Sequence, residues 1–341
     1  MDRGLKVIQF PKAAYLQNSH SQTVFSSFFP PENRLTTDFF SEDIFLETED
    51  GTGDVLCLHH NPPAAFYKRL PVRFNGYYLV LIHGMEGTAD SHYIVTMGEL
   101  ALRHGYGVIR VNLRGCGQGE GLSSRLYNSG TKDIDRVIRY IYYNINRNII
   151  LCGYSLSANM VLKYMGEARR DEVRFFSAVS PPLDLKIGCD YIDSEKARFY
   201  RDFFLRSYRE KIKKGLIKAP KAMLDAASKA ETLFDFDDFL TAPLYNYKGA
   251  LDYYKDCSSL PHIPKIRHQG ILIHADDDPL IPDELFRGVK WRRYPNLTVI
   301  LTKGGGHVGF LCKKTKEIPD GRWLNHTLLH YFAEKTGVYE Y

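Results

Sequence analysis

The sequence predicts an α/β protein in which helices wrap a mostly parallel central sheet, and three observations carry that prediction. Several short runs are apolar throughout, as strands covered on both faces should be: YYLVLI at 77–82, NIILC at 148–152 and GILIH at 270–274. Stretches with apolar residues near helical spacing alternate with these runs, and strand–helix–strand alternation implies a parallel sheet. The composition is globular, with 44% hydrophobic and 13% aromatic residues in 341. That content excludes a disordered chain, and ordinary Gly and Pro usage excludes a collagen-like or low-complexity one.

Taken in order, two polar-alternating strands open the fold over Phe39–Thr48 and Asp54–His60, joined through the turn-prone pair Asp50-Gly51. Strands are then expected over Tyr77–His83, Gly107–Leu113, Asn148–Tyr154 and Phe175–Ser180. Helices over Tyr93–Arg103, Lys132–Asn144 and Leu156–Ala168 separate these four. The alternation breaks between Pro181 and about Tyr247 and resumes with strands over Gly270–Ala275 and Leu297–Thr302. Single cores stop growing near roughly 250–300 residues, so the excess length fits an insertion. The expected organisation is a core of residues 1–183 and 248–341, carrying a helical cap at 184–247. No internal repeat appears.

Net charge is mild at +5, too small to announce a nucleic-acid partner, but it is unevenly spread. Between Lys196 and Lys221 stand ten Lys/Arg against two acids, Asp202 and Glu210. A solvated helix face accounts for this; contact of the cap with an anionic membrane is the functional alternative. Six cysteines show no C-x-x-C pair and no regular spacing, so reduced thiols of a cytoplasmic protein are expected rather than a disulfide framework. The first residues hold no apolar stretch of signal-peptide length, and no run approaches the roughly 18–20 residues that span a bilayer.

The local chemistry begins at Gly153-Tyr154-Ser155-Leu156-Ser157, where an apolar strand runs through G-x-S-x-S into a helix. In a nucleophile elbow the turn is so tight that small residues must flank the serine, whose Oγ stands exposed at the helix start. The same pentapeptide also occurs in ordinary strand-to-helix turns, so its neighbours matter. A serine hydroxyl needs a base, itself oriented by a carboxylate. Asp276-Asp277-Asp278-Pro279 follows one late strand, and Gly304-Gly305-Gly306-His307 follows the next. Ser155, Asp278 and His307 stand in the chain order of α/β-hydrolases, each after a strand. Asp278 is favoured because it directly precedes Pro279, with Asp277 as the alternative; a solvated turn, or a metal held with His274, are the other readings of this acidic run. Backbone N–H groups of Met85, in His83-Gly84-Met85-Glu86-Gly87, and of Leu156 would form the oxyanion hole. His83 reads as structural, as do His59, His60 and His262. No cofactor or resident metal is expected.

These residues resemble the YheT-like, embryogenesis-associated branch of the α/β-hydrolase family over nearly the whole chain. The matching segments are Asn18-Ser19-His20-Ser21-Gln22-Thr23, the HGMEG loop, Arg114-Gly115-Cys116-Gly117 and Tyr127-Asn128-Ser129-Gly130. Thr241-Ala242-Pro243, Tyr253-Tyr254, Asp277-Asp278-Pro279 and Gly305-Gly306-His307-Val308-Gly309 match as well. The resemblance implies the α/β-hydrolase fold, an esterase or lipase-like activity and the triad Ser155, Asp278 and His307. Ser157 departs from the family's glycine. The Asn18–Thr23 segment is expected to serve N-terminal packing, and Arg114 to pin a loop. In the cap, Phe199, Tyr200, Phe203, Phe204 and Leu205 either line an acyl tunnel or pack the cap onto the core. The expected function is hydrolysis of a small-molecule or lipid-like carboxylic ester, with thioesterase or acyltransferase chemistry on the same triad, or a non-catalytic binding protein on the same fold, as alternatives.

Overall fold

The computed structural model describes residues 4–67, 72–168 and 170–338. Its frame is one nine-stranded sheet. In chain order the strands are β1 (Leu5–Gln9), β2 (Glu42–Glu47), β3 (Val55–Asn61), β4 (Tyr78–Ile82), β5 (Gly107–Val111), β6 (Ile149–Tyr154), β7 (Val173–Val179), β8 (Gln269–Ala275) and β9 (Leu297–Lys303). Across the sheet they run β1-β9-β8-β7-β6-β4-β5-β3-β2. Every pairing is parallel except those of β3, which is antiparallel to both β5 and β2. The sheet is therefore mostly parallel, with one antiparallel hairpin at its edge.

Helices α1 (Ser19–Phe28), α2 (His92–Arg103), α3 (Lys132–Asn144) and α4 (Leu156–Glu167) precede the insertion. Within it follow α5 (Leu185–Asp193), α6 (Arg198–Lys213), α7 (Lys221–Ser228), α8 (Leu233–Phe236), a π-helical turn at Asp237–Thr241, α9 (Ala242–Leu244) and α10 (Ala250–Cys257). A short α11 (Glu284–Gly288) and the last helix, α12 (Trp323–Thr336), complete the set.

Alternation along β4 shows how the sheet is covered. Tyr78, Val80 and Ile82 enter one apolar cluster with Ile134, Val137, Ile138 and Ile141 of α3 and Val161 of α4. Leu79 and Leu81 enter another with Ile94 and Met97 of α2 and Leu324, Leu328 and Phe332 of α12. All five residues of β4 are buried, which is why the run reads as apolar throughout.

Ala250, Tyr253, Tyr254 and Cys257 of α10 share an apolar cluster with α5, α6 and α8, and also with Leu126, Leu280 and Ile281. One expectation needs correction here: the basic stretch is only partly solvated. Lys211 is buried against Glu86, although Arg198, Arg206 and Lys213 are exposed. Elements outside the sequence expectation include β1, α1, α11 and α12. All six cysteines are free and buried. Among the described residues, no helix is long and apolar enough to cross a membrane.

Candidate active site

Strand β6 delivers Ser155 into a strained turn. Its backbone lies at φ 57°, ψ −123°, a conformation non-glycine residues seldom adopt and one that recurs at functional sites. The Ser155 N–H is tied to the Val179 carbonyl at 2.8 Å. The turn is so tight that a Cβ on Gly153 would lie 2.5 Å from the Ser157 carbonyl oxygen. Ser157 uses its hydroxyl as a staple. The Oγ accepts from the Tyr154 N–H at 2.8 Å and donates to the Ile82 carbonyl at 2.6 Å, joining the elbow to the end of β4.

His307 Nε2 lies 2.8 Å from Ser155 Oγ, and its Nδ1 lies 2.8 Å from Asp278 Oδ2. The other carboxylate oxygen, Oδ1, accepts from the N–H groups of Leu280 and Ile281 at 2.9 and 3.0 Å. Burial alone would push the Asp278 carboxyl up. The charge and hydrogen bond of His307, with a further contribution from His274, outweigh it and hold the group below its ordinary value.

The three aspartates after β8 divide the work of holding the histidine loop. Asp276 accepts from the Gly304 N–H at 2.8 Å. Asp277 accepts from the Gly306 N–H at 2.9 Å and pairs with Lys12 at 3.0 Å. Asp278 alone faces the imidazole. Gly306, at φ 63°, also makes room for α1, since a Cβ there would lie 2.6 Å from the Ser19 carbonyl oxygen.

The N-terminal segment braces this loop, a connection that sequence reading did not supply. Asn18 caps α1 by accepting from the Ser21 N–H at 2.7 Å. Thr23 Oγ1 accepts from the His307 N–H at 2.9 Å, and Gln22 clamps Leu311 through both its N–H and its carbonyl, at 2.8 and 2.9 Å. His20 stacks on Tyr200 of α6, its Nδ1 lying 3.0 Å from the Tyr200 hydroxyl. The segment does pack, but onto the histidine loop and the insertion.

Other singled-out residues take structural places. His83 is buried, accepts from the Leu113 N–H at 3.0 Å, and is pushed down to about 4 by burial. Arg114 is buried among Asp50, Asp54 and Asp133, pinning three segments. His59 is buried with its Nδ1 2.6 Å from Asp43 and its Nε2 3.1 Å from Asn112 Nδ2, while His60 lies between Glu42 and Tyr78. His262 is partly buried in a 3₁₀ segment, Leu260–Lys265, that packs against α4: a Cβ on Gly166 would lie 2.4 Å from its carbonyl oxygen. His274 is buried and stacks on Phe286, and burial lowers its basicity, which suits packing beneath Asp278. Among the described residues, no cluster of three or more His, Cys, Asp or Glu could hold a metal ion.

An open pocket adjoins Ser155, Met85 and Leu156. Its walls are mostly apolar and come from the insertion and from the loop after β8, including Leu185, Ile192, Leu233, Phe236, Leu280 and Ile281. None of Phe199, Tyr200, Phe203, Phe204 and Leu205 lines it. Tyr200, Phe204 and Leu205 pack inside the insertion, while Phe199 and Phe203 are 65% and 54% exposed. The residues that line the pocket instead are scattered through the insertion, where no local periodicity marks them. Asp237 is the charged group among them. Burial raises its carboxyl to about 6, and Tyr254 donates to it at 2.7 Å.

A mostly parallel sheet with a serine, an imidazole and a carboxylate on loops at its strand ends defines an α/β-hydrolase. Residues 79–313 match the alpha/beta hydrolase family, and the chain belongs to it. It is 28% identical to the YheT protein of Escherichia coli over 86% of this chain and 84% of that one. It is 27% identical to embryogenesis-associated protein EMB8 of Picea glauca over 93% and 70%, respectively. Identity to a monoacylglycerol lipase of Saccharomyces cerevisiae is 31%, over 74% of this chain and 58% of the yeast protein. Among solved structures, a Pyrococcus furiosus esterase superposes with a TM-score of 0.56 at 15% identity, covering 89% of this chain and 96% of its own. That likeness is one of fold.

Proposed function

We propose that this chain hydrolyses carboxylic esters through an acyl-enzyme. The observation that carries the reading is the continuous hydrogen-bonded line from Ser155 Oγ through His307 to Asp278. His307 Nε2 takes the serine proton as Oγ attacks the ester carbonyl, and Asp278 stabilises the imidazolium that results. The amides of Met85 and Leu156 donate to the oxyanion of the tetrahedral intermediate. His307 then hands its proton to the leaving alkoxide. In the second half-reaction it takes a proton from the water that attacks the acyl carbonyl, and returns it to Ser155 Oγ as the acyl–oxygen bond breaks and the acid leaves.

The apolar walls of the pocket support an acyl or lipid-like substrate. The lipase and phospholipase names of relatives point the same way. In this reading the insertion acts as a cap that shapes the acyl site. Its outer face carries Phe199 and Phe203 among Arg198 and Arg206, a pattern suited to peripheral contact with an anionic membrane. Free, buried cysteines suit a cytoplasmic setting.

Fluorophosphonate labelling followed by p-nitrophenyl esters of increasing chain length tests the proposal. Ser155 of the wild type should carry the label, turnover should depend on acyl length, and Ser155→Ala should abolish both. Equal background rates in wild type and Ser155→Ala would leave a non-catalytic binding protein. Thioester or acyl-acceptor preference in the same series would move the chemistry to the related transfer reactions. For the membrane face, co-sedimentation with anionic but not neutral vesicles, weakened by salt, is expected.

A further inference from the structure

The loop after β4 contains a non-glycine residue in an unusual place. Gly87 N–H closes a turn onto the Gly84 carbonyl at 3.1 Å, and Glu86 sits inside that turn at φ 53°. Glycine is the natural occupant of such a position, so a glutamate there needs a compensating role for its side chain. The carboxylate is buried, its side chain only 3% exposed. Oε1 accepts from Lys211 Nζ at 2.9 Å and from the Tyr127 hydroxyl at 3.1 Å, while Oε2 accepts from Ser207. The Glu86 N–H donates to the same Tyr127 hydroxyl at 2.9 Å, and Tyr208 reaches that oxygen at 3.1 Å.

Ser207, Tyr208 and Lys211 fall on one face of α6, in the insertion, whereas Glu86 and Tyr127 belong to the core. The carboxylate is thus a buried point at which the two parts are joined by charge. The residue before it is Met85, which, like Leu156, packs against both the sheet's cluster and the insertion's cluster.

We infer that Glu86 and Lys211 are positioning residues: their buried pair fixes the peptide after Met85 to helix α6, so the oxyanion site is complete only while the insertion is seated. The inference rests on the proposed roles of Ser155 and Met85. Donors aimed at an oxyanion act through pre-set geometry, so a loosened Met85 amide weakens the transition state more than the bound ester.

The test uses the full chain with p-nitrophenyl butyrate as substrate and a trifluoromethyl ketone as mimic of the tetrahedral adduct. Lys211→Met and Glu86→Gln are each expected to lower kcat by about 10- to 100-fold with KM within about threefold. Binding of the ketone should weaken by the same factor as kcat/KM. Lys211→Arg should restore kcat to within about fivefold of wild type, and the double variant Glu86→Gln/Lys211→Met should be no slower than the slower single. If Lys211→Met does not fold by circular dichroism, Glu86→Gln and Lys211→Arg carry the test between them. A labelled wild type with kcat unchanged in Glu86→Gln, or with the loss confined to KM, overturns the clasp alone. A wild type that fluorophosphonate does not label at Ser155 removes the hydrolase reading, and the clasp falls with it.

Discussion

The sheet and the insertion are both well packed, but they are held by different chemistry. Around the sheet the buried groups are mainly aliphatic: β4 places Val80 and Ile82 on one face and Leu79 and Leu81 on the other. Inside the insertion and along its seam with the core, tyrosines and polar groups take over. Tyr254 donates to Asp237, Tyr253 donates to Ser129, and Tyr208 meets Tyr127. Aliphatic packing is non-directional and gives a stiff platform, whereas hydrogen-bonded seams specify one arrangement and lose much when one partner is removed. The difference teaches where each property resides. The platform holds Ser155, Asp278 and His307 at the strand ends, and the insertion supplies much of the apolar wall that, in the proposed reading, meets the rest of the substrate.

The largest test of that division strikes the platform's reacting groups. Asp278→Asn keeps the shape of the site but lets Nδ1 of His307 lose its proton-accepting partner. Turnover should fall by roughly 10⁴-fold with little change in KM, measured on a p-nitrophenyl ester. Leu151→Ala then probes the aliphatic core. Leu151 is fully buried in β6, and its loss should cost about 2–5 kcal/mol in denaturant unfolding while leaving acyl-length preference unchanged. By contrast, Ile192→Ala in the insertion should shift that preference toward longer acyl chains, because Ile192 lines the pocket. The same chain-length series reads both, and a shift in the Leu151 variant would break the division.

Asp237 gives the comparison a pH dependence. Its folded carboxyl is raised by burial to about 6, above the ordinary carboxylate value. With both states protonated below about pH 4, the group costs nothing. As pH rises through about 6, the folded state must carry a buried charge that the unfolded chain solvates, and stability is lost. Asp237→Asn should therefore stabilise the chain by about 1–3 kcal/mol at pH 8 and by almost nothing at pH 4, in paired unfolding curves at the two pH values. The smallest effect expected is that of Thr23→Val, which removes the hydroxyl that accepts from the His307 N–H. A cost near 1 kcal/mol, or about fivefold in kcat, should appear without a change in chain-length preference.

Much of the platform is legible in the sequence because its signals are local. Lys132–Asn144 is observed with the expected bounds, and the other expected helices and strands differ by a few residues at their ends. The elements that escaped have weaker local marks. β1 is a five-residue edge strand with mixed burial, and α1 is rich in serine, although Asn18 is a fair N-cap signal. For α12, Gly337 at φ 69° supplies a C-terminal signal after the periodic Leu324, Leu328 and Phe332. The aromatics of α6 left two readings open, because a sequence run shows that a helix is amphipathic but not which neighbour receives its buried face.

By itself, then, the sequence determined the alternation that makes the sheet, and the order in which a serine, an acidic loop and a histidine follow strand ends. Those features depend on residues close together in the chain. Tertiary structure decided which of three adjacent aspartates meets His307, how the Ser157 hydroxyl staples the elbow to β4, and how Thr23 and Lys12 brace loops 284 and 265 positions away. It also decided that Glu86 would be gripped from the insertion. Each of these depends on a direction in space, the aim of one hydrogen-bonding group at another, and residue spacing along a chain does not encode the aim of contacts made so far apart.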